Sequence, residues 1–372
     1  MTMRALGVRS FGKAEKLEIL DILVPTITNS DDMLIQVKAI SLNRSDGVKA
    51  LGYTRLFETV KCFPSPNQSR KQQLTPGRLP LILGHMYAGI ISEVGSSITA
   101  FKPGDKVYGF TFGGRAAAEY LLLSSNYKYH ITKIPEGLSF EEAASLVAHT
   151  AVGALLRADA ELPGGLKGKT VLVPGALGGV SSTVLQLLKP VFGAGKVITT
   201  VSTKKVPLVS GILGEGLVDH VIDYTTQDVV SEIGKGTVDF FFDTVGVAMP
   251  YIEVLKPNTG FLLTILGKSG QTLAKDWPET PWWLVKVLDI LDGVQKWRAW
   301  RWGVRYDHVF TQFTDATSEK VAEWVKEGKL KAIIGKTAEM YDLKAAKDML
   351  DAAGSAKGAI GKSVVKLHNT VA

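Results

Sequence analysis

Cysteine is almost absent: Cys62 is the single one in 372 residues. No intramolecular disulfide can form, and a zinc site built from several thiolates is ruled out. Long apolar runs are missing as well, since none approaches the ~20 residues that a spanning helix needs. There is no internal repeat, no arginine-rich tail and no zinc-finger spacing, and the basic residues are mostly dispersed. Nucleic acid is therefore not an expected partner. Neither end carries an address. Residues 1–12 hold no apolar segment long enough for a signal peptide, and Asn369-Thr370-Val371-Ala372 matches neither a retrieval nor a peroxisomal signal. The expected location is the cytoplasm, and a membrane is not the expected partner.

What remains is the composition of a folded chain. Hydrophobic residues are 45% and charged residues 21%, enough apolar material for a sizeable core, and the length suggests two or three domains. Glycine, at 38 residues, exceeds the usual ~7% and points to turns and close backbone approaches. Lys and Arg outnumber Asp and Glu by 43 to 36, a net charge of +7. With nucleic acid set aside, a phosphate-bearing small molecule best accounts for that excess.

The pattern of the chain changes near residue 140. Before it, β-branched runs such as 33–40 and 106–110 alternate with turn signals, among them Lys102-Pro103-Gly104-Asp105, as in an all-β unit. A polar stretch at 52–80 with several prolines interrupts this unit and reads as a functional loop or lid. Ser139-Phe140-Glu141-Glu142 has the form of a capping box and opens a helix to about Leu156. Apolar runs then recur at 170–173, 197–201, 220–223, 238–243 and 260–266, separated by helix-length segments. Short buried strands alternating with helices predict a doubly wound parallel sheet, and thus an α/β class. The tail reads as helices at 318–327 and 343–353 and a last strand at 359–367.

The strongest motif is Val171-Leu172-Val173-Pro174-Gly175-Ala176-Leu177-Gly178-Gly179-Val180-Ser181-Ser182. It lies between an apolar strand and an amphipathic helix. There the glycines let the backbone approach a pyrophosphate and the helix N-terminus offers free N–H groups. The strict GxGxxG spelling is absent, because Ala176 and Ser181 stand in two of its glycine places. The next strand, 197–201, ends in Ser202-Thr203-Lys204-Lys205 rather than in the Asp or Glu that grips a ribose 2′-hydroxyl. Two hydroxyls and two lysines suit a 2′-phosphate, so NADPH is the expected cofactor. The competing reading is a solvated helix start.

In these motifs and their order, the chain resembles the zinc-independent medium-chain dehydrogenase/reductases of the quinone oxidoreductase type. The resemblance spans nearly the whole length. It rests on Ala39-Ile40-Ser41-Leu42-Asn43-Arg44-Ser45-Asp46, Lys102-Pro103-Gly104-Asp105, Gly137-Leu138-Ser139-Phe140-Glu141-Glu142-Ala143-Ala144, the glycine turn, Ile222-Asp223-Tyr224 and Phe242-Asp243-Thr244-Val245-Gly246. Gly303-Val304-Arg305-Tyr306 is similar to the reticulon-interacting, quinone-reductase-like branch, and a likeness to trans-acting enoyl reductases is also present. The resemblance implies a GroES-like β-barrel catalytic domain from residues 1–143 and 316–372. A Rossmann NADPH-binding domain at 144–315 is inserted in it, with the active site in the cleft. It also implies that Gly175, Gly178, Gly179 and Val180 meet the pyrophosphate and that Ser202 and Lys205 hold the 2′-phosphate. Tyr224 would lie by the adenosine ribose or its phosphate, Val245 and Leu266 by the nicotinamide, and Thr150 at a family position near it.

Where zinc-bearing relatives place Cys, His and Cys, this chain has Asn43, His85 and Leu146. One imidazole cannot hold a tetrahedral zinc, so no metal is expected. His149 is more readily a helix-face histidine than a ligand. Without a Lewis acid, the expected chemistry is hydride transfer to an acceptor that is already electrophilic, an enone, an enoyl group or a quinone. Tyr53, Asn43 and the nicotinamide ribose hydroxyl are the candidate donors to the developing enolate oxygen, and Tyr53 or solvent would protonate carbon. Tyr53 reads equally as a packed lid tyrosine, and His85 as a cleft-lining group or a satisfied structural histidine. An NADPH-binding sensor with little turnover and a tailoring subunit of a biosynthetic synthase are the alternatives, in a monomer or homodimer.

Six of seven tryptophans, Trp277, Trp282, Trp283, Trp297, Trp300 and Trp302, crowd into 271–306 among several lysines and arginines. Trp283, Val287, Ile290, Leu291 and Val294 recur at helical spacing and predict an amphipathic helix after the fifth Rossmann strand. A core or subunit interface, a membrane surface and an aromatic wall over a bulky substrate are all compatible with it. In the last case Trp302 or Tyr306 would lie nearest the substrate.

Overall fold

The computed structural model describes residues 1–53, 79–125, 129–146, 148–267, 269–276, 280–309, 314–355 and 360–367. Most of the expected lid at 52–80 lies outside the described residues, as do Cys62 and Trp277. The chain forms two compact units. One is Met1–Leu146 with Ala332–Ala372, and the other is Val147–Lys331.

Among the described residues, the N-terminal segment supplies eight strands: β1 (Thr2–Val8), β2 (Leu17–Leu23), β3 (Met33–Leu42), β4 (Leu81–Ile82), β5 (Met86–Val94), β6 (Lys106–Thr111), β7 (Tyr120–Leu123) and β8 (Tyr129–Lys133). Strands β2, β1 and β4 form a small antiparallel sheet, and β3 pairs antiparallel with β5 and with β7. Leu6, Val8, Leu20, Ile35, Val37, Ile40 and Tyr87 are buried together as one core. The turn before β6 is closed by Asp105, whose Oδ2 accepts from the Lys102 N–H at 3.1 Å.

The capping box forms as expected: the Glu142 carboxylate accepts from the Ser139 N–H at 2.9 Å, and the Ser139 hydroxyl accepts from the Glu142 N–H at 3.2 Å. The helix it opens, Phe140–Ser145, ends early because Leu146 leaves helical geometry at ψ 79°. A second helix, Ala148–Glu161, then begins in the second unit. The single helix expected to Leu156 is thus two, broken where the chain passes from one unit to the next.

Among the described residues, the second unit carries six parallel strands: β9 (Thr170–Pro174), β10 (Lys196–Val201), β11 (His220–Asp223), β12 (Phe240–Asp243), β13 (Phe261–Thr264) and β14 (Arg305–His308). Their order is β11-β10-β9-β12-β13-β14. Phe240, Phe241 and Phe242 are all fully buried, which is how a strand covered on both faces reads. The chain winds from β9 outward to β11, then crosses to β12 and winds the other way. The β9–β12 seam is the topological switch point, where such sheets bind ligands beyond their carboxyl ends.

The helix Asp315–Lys326 packs within the second unit. Trp324 meets Phe192 edge-on at 6.0 Å, the Ser318 hydroxyl lies 3.2 Å from His149 Nε2, and Gln186 bonds to the Lys331 backbone. The return to the first unit therefore falls at 332 rather than at 316. There β15 (Ile334–Glu339) and β16 (Lys362–Lys366) complete the seven-stranded sheet, with β16 inserted between β15 and β3.

Candidate functional site

Along the carboxyl edge of the parallel sheet, the sequence-predicted cofactor residues come together. The turn after β9 reverses at Gly175, whose φ is +74°. A Cβ there would fall 2.8 Å from Val245 Cγ1, so the glycine turn and the loop after β12 form opposite lips of one crevice. Gly178 caps the helix Gly179–Leu188 and donates its N–H to the Gly175 carbonyl at 2.8 Å. Ala176 and Leu177 face inward, whereas Gly175, Gly178, Gly179 and Val180 stay partly exposed. The free N–H groups of that helix start, with its dipole, suit a pyrophosphate.

The loop after β12 is shaped by Asp243. Its buried carboxylate accepts backbone N–H bonds from Val245, Gly246, Val247 and Ala248 at 2.8–3.2 Å. This leaves Val245 45% exposed at the lip. Leu266, after β13, is held by a bond from its N–H to the Thr264 hydroxyl, and its side chain would touch a Cβ at Gly246. Val245 and Leu266 therefore border the same corner. Ser181 and Thr244 hydroxyls, 2.6 Å apart, join the two lips beneath.

At the other end of the rim, Ser202 caps the short turn Thr203–Leu208 and Lys205 folds back, its N–H on the Ser202 carbonyl at 2.8 Å. Burial depresses the Lys205 ammonium pKa, a strain that an anion would relieve. Tyr224 is half-exposed beside the end of β10, its N–H on the Val201 carbonyl. One carboxylate, Asp223, also ends here. Hydrogen bonds from the Thr203 and Thr225 hydroxyls hold its pKa down to about 2, so its oxygens are already engaged by this chain.

The first unit holds a separate polar cluster, built on the helix Arg44–Ala50. Asp46 is wholly buried. It accepts from the Asn43 N–H at 2.8 Å, from the Gly84 N–H at 2.8 Å and from His85 Nδ1 at 2.9 Å. Burial works to raise its pKa, yet His85 and the two backbone donors outweigh it and leave the carboxyl below the usual range. The His85 ring stacks on Phe110 at 5.8 Å. With Nδ1 facing a carboxylate, that nitrogen carries the proton in the neutral ring and Nε2 is the acceptor. His85 is thus a satisfied histidine at its Nδ1 edge.

Lys362, from β16, reaches the same cluster and donates to Asn43 Oδ1, while the Asn43 amide nitrogen donates to the Ser41 carbonyl at 3.1 Å. Burial pushes the Lys362 ammonium down to about 8, against the pull of Asp46. Lys362 has no signal in the sequence, being 319 residues from Asn43. Asp46, Asp223 and Asp243 fall inside the motifs that carried the resemblance, but their roles are visible only in their bonds.

A depressed lysine titrates in a defined window. Because the folded value lies below the unfolded one of ~10.4, the unfolded chain holds more protons between the two, and stability rises with pH there. The penalty is complete below pH 8. Lys362→Met should therefore raise the melting temperature at pH 7, and the gain should shrink as pH climbs toward ~10. A gain equal at both pH values, or a loss at both, would mean that this charge carries no desolvation cost.

The remaining candidates are spread out. Tyr53 is 72% exposed just after the helix Arg44–Ala50, its N–H on the Val48 carbonyl. Thr150 and His149 are buried in the helix Ala148–Glu161. Trp302 ends the helix Trp282–Arg301 and is half-exposed. Tyr306 packs on the core of the parallel sheet and meets His308 edge-on at 5.1 Å, and burial raises its phenol pKa.

Residues 29–136 match the family described as alcohol dehydrogenase GroES-like domain, and 218–365 the one described as zinc-binding dehydrogenase. The chain is 33% identical over 278 residues to 2-methylene-furan-3-one reductase of Solanum lycopersicum, covering 71% of this chain and 62% of that protein. It is 31% identical over 267 residues to NADPH-dependent alkenal/one oxidoreductase, chloroplastic, of Arabidopsis thaliana, with 68% and 60% covered. NAD(P)H oxidoreductase RTN4IP1, mitochondrial, of Mus musculus is 28% identical over 352 residues, 90% of this chain and 83% of that one. The chain thus spans about three fifths of the length of the two plant relatives. Among solved structures, a quinone oxidoreductase from Coxiella burnetii matches with a TM-score of 0.76 at 26% identity, covering 99% of this chain and all of that one.

The zinc of the second family description does not fit the donors present. An amide, one imidazole and the aliphatic Leu146 stand at the ligand places, and the amide oxygen already receives the Lys362 ammonium. No three His, Cys, Asp or Glu converge among the described residues. The cofactor rim, the Asp46–His85 pair and these matches agree: the chain belongs to the medium-chain dehydrogenase/reductase family, among homologues that are quinone oxidoreductase-like.

Proposed function

We propose that this protein is an NADPH-dependent reductase that delivers hydride to an activated C=C, in an enone or enoyl group, or to a quinone, without a metal. The observation that carries the reading is the carboxyl-edge rim. It has a glycine lip and a helix start at one end, and a serine–lysine turn free of an uncommitted carboxylate at the other. Relatives named as a 2-methylene-furan-3-one reductase, an alkenal/one oxidoreductase and a quinone oxidoreductase support the acceptor class.

Bound NADPH supplies the two electrons as hydride. In this chain the Gly179 and Val180 N–H groups, beside Gly175 and Gly178, would hold the pyrophosphate, Ser202 and Lys205 would hold the 2′-phosphate, and Tyr224 would flank the ribose. Val245 and Leu266 would border the nicotinamide, with Thr150 as a positioning hydroxyl. For the acceptor, the second Asn43 amide N–H is the donor to the carbonyl oxygen, and the Lys362 ammonium polarises that amide. That donor would stabilise negative charge developing on the carbonyl oxygen during reduction. The α carbon then takes a proton from Tyr53 or solvent, so the double bond gains one hydride and one proton.

NADPH oxidation measured against quinones, 2-enals, cyclic enones and enoyl thioesters tests the reading. Turnover with at least one class is expected. Tight NADPH binding with no turnover on any of them would replace it by a sensor or partner role. The choice of cofactor has its own test in Ser202→Asp, which sets a carboxylate against a dianionic phosphate. NADPH affinity should fall by roughly tenfold or more while NADH changes little. Wild-type protein binding NADH as tightly as NADPH would sink the preference.

A further inference from the structure

The helix Trp282–Arg301 is built the wrong way round for a surface helix of a globular protein. Its inward side carries Leu284, Asp292 and Ala299, all buried, with Asp292 bonded to His308 Nε2 at 2.7 Å and to Lys296 at 2.9 Å. Its outward side carries Trp283, Val287, Ile290, Leu291, Val294 and Trp297, at i, i+4, i+7, i+8, i+11 and i+14, each about half-exposed or more. Ile290 and Leu291 are 66% and 58% exposed. Isolated surface leucines need no explanation, but a contiguous stripe does.

The exposed charges on this helix are all positive. Lys286, Arg298 and Arg301 are exposed, and Arg301 lies 5.2 Å over the Trp297 ring. Both acids of the helix point elsewhere: Asp292 is buried, and Asp289 accepts from the Gln271 N–H at 3.1 Å. Tryptophans stand at both ends of the stripe, with aliphatic residues between. Twenty residues make a cylinder about 30 Å long. No helix among the described residues is long and apolar enough to cross a membrane, so this one would lie in the headgroup plane rather than span it.

We propose that this face docks on a membrane surface whose headgroups are anionic. Aliphatic side chains enter the acyl boundary, tryptophans settle at headgroup level and the three cations meet lipid phosphates and carboxylates. A second copy is the weaker occupant. Two-fold pairing would gather the cations of both chains along one seam, with no exposed carboxylate of this helix to answer them.

The test is flotation of the purified full chain with vesicles of phosphatidylcholine alone and of phosphatidylcholine with about one third phosphatidylserine. Binding to the anionic vesicles, weakened by salt, and a blue shift of tryptophan emission are expected. Ile290→Glu with Leu291→Glu should abolish it, and Arg298→Glu with Arg301→Glu should weaken it at least about tenfold. NADPH binding and melting temperature should hold in both variants. Absence of anionic-vesicle binding at low salt would overturn the proposal, and so would equal binding to neutral vesicles. Light scattering that finds a dimer dissolved by Ile290→Glu would assign the face to a second copy instead.

Discussion

Asp46→Ala should lower the melting temperature by on the order of 10 °C, the equivalent of about 3–5 kcal/mol in the first unit. Three donors lose their acceptor at once: the Asn43 N–H, the Gly84 N–H and His85 Nδ1. All sit where water cannot replace the carboxylate, so each is left with its desolvation cost. The pH profile identifies the cause. The Asp46 pKa is depressed in the folded state, so its contribution is present above the unfolded value of ~3.9 and disappears as pH falls through the lower, folded one. Wild type and variant should differ most near neutrality and converge in acid. A change below about 2 °C at pH 7 would show that the cluster is solvated and not a structural keystone.

Gly175→Val should reduce NADPH affinity by about a hundredfold, close to 2.7 kcal/mol, while hydrodynamic size is unchanged. Two costs combine. A β-branched residue at φ +74° is strained, and its Cβ would press on Val245 Cγ1 at 2.8 Å and push that side chain across the crevice. Gly216→Val separates the two, because Gly216 has the same φ of +74° but nothing within 4 Å of an added Cβ. It should cost stability yet leave NADPH affinity near wild type. If both variants lose affinity alike, backbone strain rather than the lip geometry is responsible.

How much of this was legible depends on the range of the interaction. The glycine turn, the capping box at Ser139 and the five apolar runs are local patterns, and each of the five runs holds a strand, whereas the sixth strand at Arg305–His308 carried no such signal. The helix Trp282–Arg301 was legible as a helix from its spacing. Which side it buries was not, because that choice is made by Asp292 meeting His308 and by Ala299 fitting against the sheet. The unit boundary at 332 rests on Trp324 against Phe192 and on Gln186 bonding Lys331, contacts between segments far apart in sequence. Lys362 on Asn43 is the extreme case, since no local pattern marks a lysine whose meaning comes from a strand pairing across most of the chain.

That pairing also sets the order in which the molecule is made. β3 is complete as a sequence by residue 42, yet its neighbour β16 is among the last strands to be synthesised. The second unit is contiguous and leaves the ribosome whole, free to fold while the first unit still shows an open row of N–H and C=O groups along β3. Closure of the first sheet must then wait for residues 362–366 and bridge a very long loop, the slowest kind of contact to form. A chain terminated early would carry a finished dinucleotide fold beside a half-built sheet, and would be aggregation-prone through that one edge.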